Sequence, residues 1–171
     1  MPGSVRAVAS SIKGLRPDLP ARKAAGLTLQ VRGADLAAAL GPALDPDESE
    51  GIHDLRVASR RLRAAIDAYE SFLPRRGIRS LRSEVRDLFR ATGPARDLEV
   101  QIERLRKMAG DAPAEVRAGL TSVSERLSAR YEAETDKVRL AVESFRDAEM
   151  VRRLAWFVWG ATGVPPIEGS R

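Results

Sequence analysis

Along almost the whole chain, hydrophobic residues return at intervals of three and four, and no stretch alternates apolar and polar residues over strand length between hairpin-type turns. That periodicity predicts an all-α fold, an antiparallel bundle of about five to six helices. With 171 residues the chain is long enough for one domain, or two small subdomains, around a proper apolar core. Its breakers suggest a division into an amino-terminal arm over 1–26, a helical bundle over 27–160 and a tail over 161–171.

In the arm, a short helix over Val5–Leu15 is broken by Pro17 and Pro20. The first bundle helix is expected from Leu27 to about Leu44, weakened by Gly33 and Gly41 and ended by Asp45-Pro46-Asp47. A second runs from Glu48 to Leu73, its acidic start matched to the positive end of the helix dipole, and Pro74 with Gly77 closes it. A third spans Ile78–Thr92. After the Thr92-Gly93-Pro94 break a fourth runs to Met108 on Leu98, Ile102 and Leu105. A long helix follows Pro113, with Val116, Leu120, Val123, Leu127, Tyr131, Val138 and Val142 as its apolar stripe. Ser144 to Asp147 has the spacing of a capping box, which predicts a last short helix through Trp159.

Charge is distributed unevenly over this frame. Residues 52–107 hold 14 Lys or Arg against 8 Asp or Glu, so the whole positive excess of a chain whose net charge is +5 lies there. On the second helix, His53, the sole histidine, shares an arc of about 80° with Arg56, Arg60 and Arg63, while Leu55, Leu62, Ile66, Tyr69 and Leu73 gather on the other side. The third helix repeats the device with Arg79, Arg82, Arg86 and Arg90 opposite Leu81, Val85 and Leu88. Such rows ordinarily form solvated faces balanced by acids at helical spacing, and His53 would ordinarily be a helix-start residue bonded locally. Here no acid interrupts either row, although Asp67 can extend and neutralise the first. Like charges on successive turns repel, a cost an anionic partner relieves, and the arginine fork suits phosphate oxygens. Asp97, near the start of the fourth helix, suits the dipole there or holds an arginine in position.

Several chemistries find no support. There is no cysteine, so no thiol nucleophile, disulfide or thiolate metal site. A single histidine excludes multi-histidine metal centres, and no P-loop is present. The longest apolar run, Leu154–Trp159, is too short to span a bilayer, and a cytoplasmic protein needing no cofactor and touching no membrane is expected.

The run His53-Asp-Leu-Arg-Val-Ala-Ser-Arg-Arg-Leu-Arg63, followed by Leu88-Phe-Arg-Ala-Thr-Gly-Pro-Ala-Arg-Asp-Leu-Glu-Val100, resembles the signature of the CHAD domain, the conserved-histidine α-helical domain. The motif core covers 52–107, and the helical pattern agrees loosely from 27 to 159. The resemblance implies a helical fold that binds inorganic polyphosphate through a basic groove and associates with polyphosphate granules, and a non-enzymatic protein is expected. By position it implies His53, Arg56, Arg60, Arg61, Arg63 and Arg96 as ligand contacts, and the stripe geometry adds Arg82, Arg86 and Arg90. Full-length members are tandems of two similar bundles. This chain has no second histidine-and-arginine helix, so it resembles a single half, and pairing of two copies is expected to rebuild the groove, with Trp156, Phe157 and Trp159 either at that interface or in the core. The alternatives are a nucleic-acid-binding module, disfavoured by the scarcity of stacking residues beyond Tyr69, Phe72 and Phe89, and an accessory subunit of a triphosphate-processing enzyme.

Overall fold

Pro20 (φ −52°, ψ 133°) ends the amino-terminal segment and releases the first helix, α1 (Ala21–Leu40), in the computed structural model, which describes residues 10–147 and 149–167. Of the expected helix over Val5–Leu15, residues 5–9 lie outside the described residues, and the described part, 10–15, is not helical but holds a turn over Ile12–Leu15. A short 3₁₀ turn, Pro42–Leu44, then leads to α2 (Gly51–Ala68), and a second, Glu70–Phe72, leads to α3 (Arg75–Ala91). Next come α4 (Gly93–Asp111), α5 (Ala114–Asp147) and α6 (Met150–Thr162), with no strand among the described residues. The fold is therefore the all-α bundle that the periodicity implies.

Several helix ends fall elsewhere than the sequence suggests, each for a local reason. α1 begins at Ala21, because Pro20 starts a helix as readily as it breaks one, so the bundle takes in part of the expected arm. Glu48–Glu50 forms a turn closed by the Gly51 N–H on the Glu48 carbonyl at 2.9 Å, so α2 starts at Gly51. A Cβ at Gly51 would stand 2.2 Å from the Pro42 carbonyl oxygen, and only glycine lets α2 enter so close to the preceding turn. Gly77 does not close α2. It lies in the first turn of α3, where a Cβ would meet the Phe157 ring at 2.3 Å. Ser144 is interior to α5, and the chain turns instead at Glu149, whose φ is +47°.

The core is built where the apolar stripes meet. Leu29 and Leu36 of α1, Leu55, Leu62 and Ile66 of α2, Ile78 and Val85 of α3, Val138 and Val142 of α5 and Leu154 and Val158 of α6 are fully buried. Gln30 ties α1 to α6 through its Nε2, which donates to the Ala155 carbonyl at 2.9 Å and the Val164 carbonyl at 3.3 Å. The outer half of the α4–α5 hairpin leaves this core. Between residues 103 and 137 only Ser124 is buried, and Met108 and Val116 are half exposed. On α6, Phe157 packs against the core while Trp156 and Trp159 stand 58% and 40% exposed with ring centroids 4.9 Å apart.

Candidate anion-binding site

α2 and α3 lie antiparallel, and contacts between their charged rows follow one another along a single seam. At the end near the α2–α3 turn, Arg82 reaches Asp67 and Glu70, each at 2.9 Å. Further along, Arg63 lies 5.5 Å and Arg56 4.4 Å from the centroid of the Phe89 ring. At the far end Arg96 of α4 meets Glu99 at 2.7 Å and Glu50, just ahead of α2, at 3.5 Å. The two rows read from the sequence thus form one surface.

Arg56 is the most constrained member. Its Nη1 donates to the Phe89 carbonyl at 3.0 Å and to Thr92 Oγ1 at 3.3 Å, while the Thr92 hydroxyl donates to the same carbonyl at 2.9 Å. The last carbonyls of a helix lack intrahelical donors and form the negative end of its dipole, so a guanidinium is a fitting cap for α3. Burial lowers the Arg56 pKa, with Arg60 and Arg96 acting in the same direction and Asp97 opposing them. Asp97 is thus within electrostatic reach of Arg56, its charge offsetting part of that lowering.

Arg60 and Arg90 are exposed and Arg63 is half-buried, and none of the three has an ion-pair partner among the described residues. His53 is half-buried at the start of the row, makes no hydrogen bond within the described residues and lies within electrostatic reach of Glu99. Of these, the fold brings Arg63 to the same Phe89 ring as Arg56 and sets Arg60 within electrostatic reach of Arg56. Arg86 is partly engaged, donating to Ser83 Oγ at 3.0 Å and pairing with Asp87 at 3.5 Å. Arg82 is committed to its two acids. Arg61 faces away, lining a cavity of about 230 Å³ with Asp35 and Asp54 between α1 and α2.

The acids at the Arg96 end escaped the sequence reading. Burial pushes the Glu99 carboxyl up, outweighing the hydrogen bond and charge of Arg96 that pull it down. The Tyr131 hydroxyl of α5 is raised as well, first by burial and then by Glu99. The i,i+3 spacing of Arg96 and Glu99 was a usable signal for that pair. In the sequence Phe89 is only one of few stacking residues, and its contact with two arginines arises from the packing of α2 on α3.

The arrangement can chelate the oxygens of an extended anion. No group of three or more His, Asp or Glu side chains able to hold a metal occurs among the described residues, and no helix among them is long and apolar enough to cross a membrane. A family model, that of the CHAD domain, matches residues 25–170. No curated protein and no solved structure matches the chain.

Proposed function

Since the chain belongs to the CHAD domain family, we propose that it binds inorganic polyphosphate along the α2–α3 seam, as a binding protein rather than an enzyme. The observation that supports this best is that Arg60, Arg63 and Arg90 have no ion-pair partner among the described residues, while Arg56 is already fixed by the Phe89 carbonyl. Each arginine would neutralise a phosphate and release its counterions, so affinity falls linearly with salt on logarithmic axes. His53 adds one donor, and a second on protonation.

The test is a titration of long-chain polyphosphate into the wild-type chain and into Arg56→Gln/Arg60→Gln/Arg63→Gln, with helicity followed by circular dichroism. The triple variant is expected to keep its helicity and lose at least about tenfold in affinity, with a salt slope shallower by roughly three. Wild-type affinity in that variant, or binding indifferent to salt, defeats the proposal. Competition by single- or double-stranded nucleic acid at equal phosphate concentration distinguishes the nucleic-acid reading. Incubation of polyphosphate with the protein and a divalent metal is expected to release no orthophosphate.

Two companion proposals accompany this reading. Two copies pair to complete a longer groove, an idea the exposed Trp156 and Trp159 support, and the protein resides on polyphosphate granules. Light scattering that finds only monomer at micromolar concentration would sink the first, and a granule fraction devoid of the protein the second.

A further inference from the structure

Building on the polyphosphate reading, we propose that Phe89 is the positioning residue of the anion site: its ring sets the planes of the Arg56 and Arg63 guanidiniums and leaves their outer N–H edges for phosphate oxygens. Phe89 is not a core side chain. It is partly exposed and stands outside the hydrophobic cluster that takes in the apolar positions Ile78, Leu81, Val85 and Leu88 of the same helix. What it does touch is charge, Arg56 at 4.4 Å and Arg63 at 5.5 Å from its centroid, within the range where a ring face attracts a cation.

The donor inventory of Arg56 makes the consequence specific. A guanidinium has five N–H groups, and Nη1, which supplies two of them, is directed at the Phe89 carbonyl and Thr92. The Nε–Nη2 edge, the one that grips two oxygens side-on, is not used by any of these contacts. Ring and carbonyl of one residue thus hold the guanidinium from two directions, and the cation meets its ligand with less motion left to lose. The ring face beneath Arg56 is closed to a nucleobase, which favours a bare phosphate chain over a stacking ligand.

Phe89→Leu and Phe89→Tyr separate this role from simple packing. With long-chain polyphosphate as probe, Phe89→Leu is expected to lose about threefold to tenfold in affinity. Its salt slope stays unchanged, because the number of phosphates neutralised does not alter. Phe89→Tyr restores binding. Arginine side-chain NMR signals displaced by the ring are expected in wild type and Phe89→Tyr and lost in Phe89→Leu. If Phe89→Leu loses helicity, the longer, unbranched Phe89→Met carries the same expectation. Wild-type affinity in Phe89→Leu, or equal loss in Phe89→Tyr, overturns the positioning role. Neither result touches the underlying reading, which fails only if the triple arginine variant still binds.

Discussion

Glu99 sits where two demands collide: its carboxylate pairs with Arg96, yet the pair is only 18% exposed on each side. Burial wins, so the carboxyl holds its proton more tightly in the folded chain than in the unfolded one. The ionised form therefore costs stability above the raised pKa, and that cost disappears as pH falls below the ordinary value of 4.5. Protonation also releases Arg96 from its nearest acid. Polyphosphate binding is expected to tighten on acidification, and Glu99→Gln to tighten it about twofold to fivefold at neutral pH while flattening the pH response, as titrations at several pH values would show. An affinity unchanged by Glu99→Gln would mean that Arg96 takes no part. Arg82 makes the opposite case. Because Asp67 and Glu70 already hold it, Arg82→Gln is expected to leave affinity within about twofold of wild type while lowering the melting temperature slightly. Arg82 and Arg90, about two turns apart on the same stripe, are indistinguishable in the sequence. Only the antiparallel packing of α3 on α2 assigns the acids to the first and leaves the second without an ion-pair partner among the described residues, so which α3 arginines are neutralised is not legible in the sequence.

At the scale of elements, periodicity locates faces well and ends poorly. Leu55, Leu62 and Ile66 are buried as the 3.6-residue rhythm requires, since burial of an apolar stripe is what the rhythm encodes. Ends depend on neighbours. Gly77 reads as a stop signal, but in α3 it makes room for Phe157, and Ser144 has capping spacing yet lies inside α5 because the helix continues to Asp147. The actual turn places Glu149 in the left-handed region, where an L side chain is strained, even though it pairs there with Arg152. Glu149→Gly is accordingly expected to stabilise the fold by about 0.5–1 kcal/mol in denaturant unfolding. A loss of stability would show that the ion pair outweighs the backbone strain.

For the whole molecule, the bundle and the outer hairpin differ in kind. α1, α2, α3, the start of α4, α6 and the carboxy-terminal half of α5 share the buried cluster, whereas α4 after Ile102 and α5 before Val138 pack chiefly on each other. Backbone amides in 104–131 are therefore expected to exchange with deuterium well before those of α2 and α3, where opening requires disrupting the core. Equal protection throughout would indicate a partner covering the hairpin. The site itself is assembled from neighbouring elements, α2, α3 and the first turn of α4, so most of its contacts close over short chain distances. The hairpin has a practical use as well. Its tip, at Ala112–Pro113, lies about 36 Å along α5 from Val138 at 1.5 Å per residue. A fluorophore or affinity tag spliced into that turn would ride on a spar well away from the arginine seam, giving a handle by which the protein could be followed while its ligand surface stays untouched.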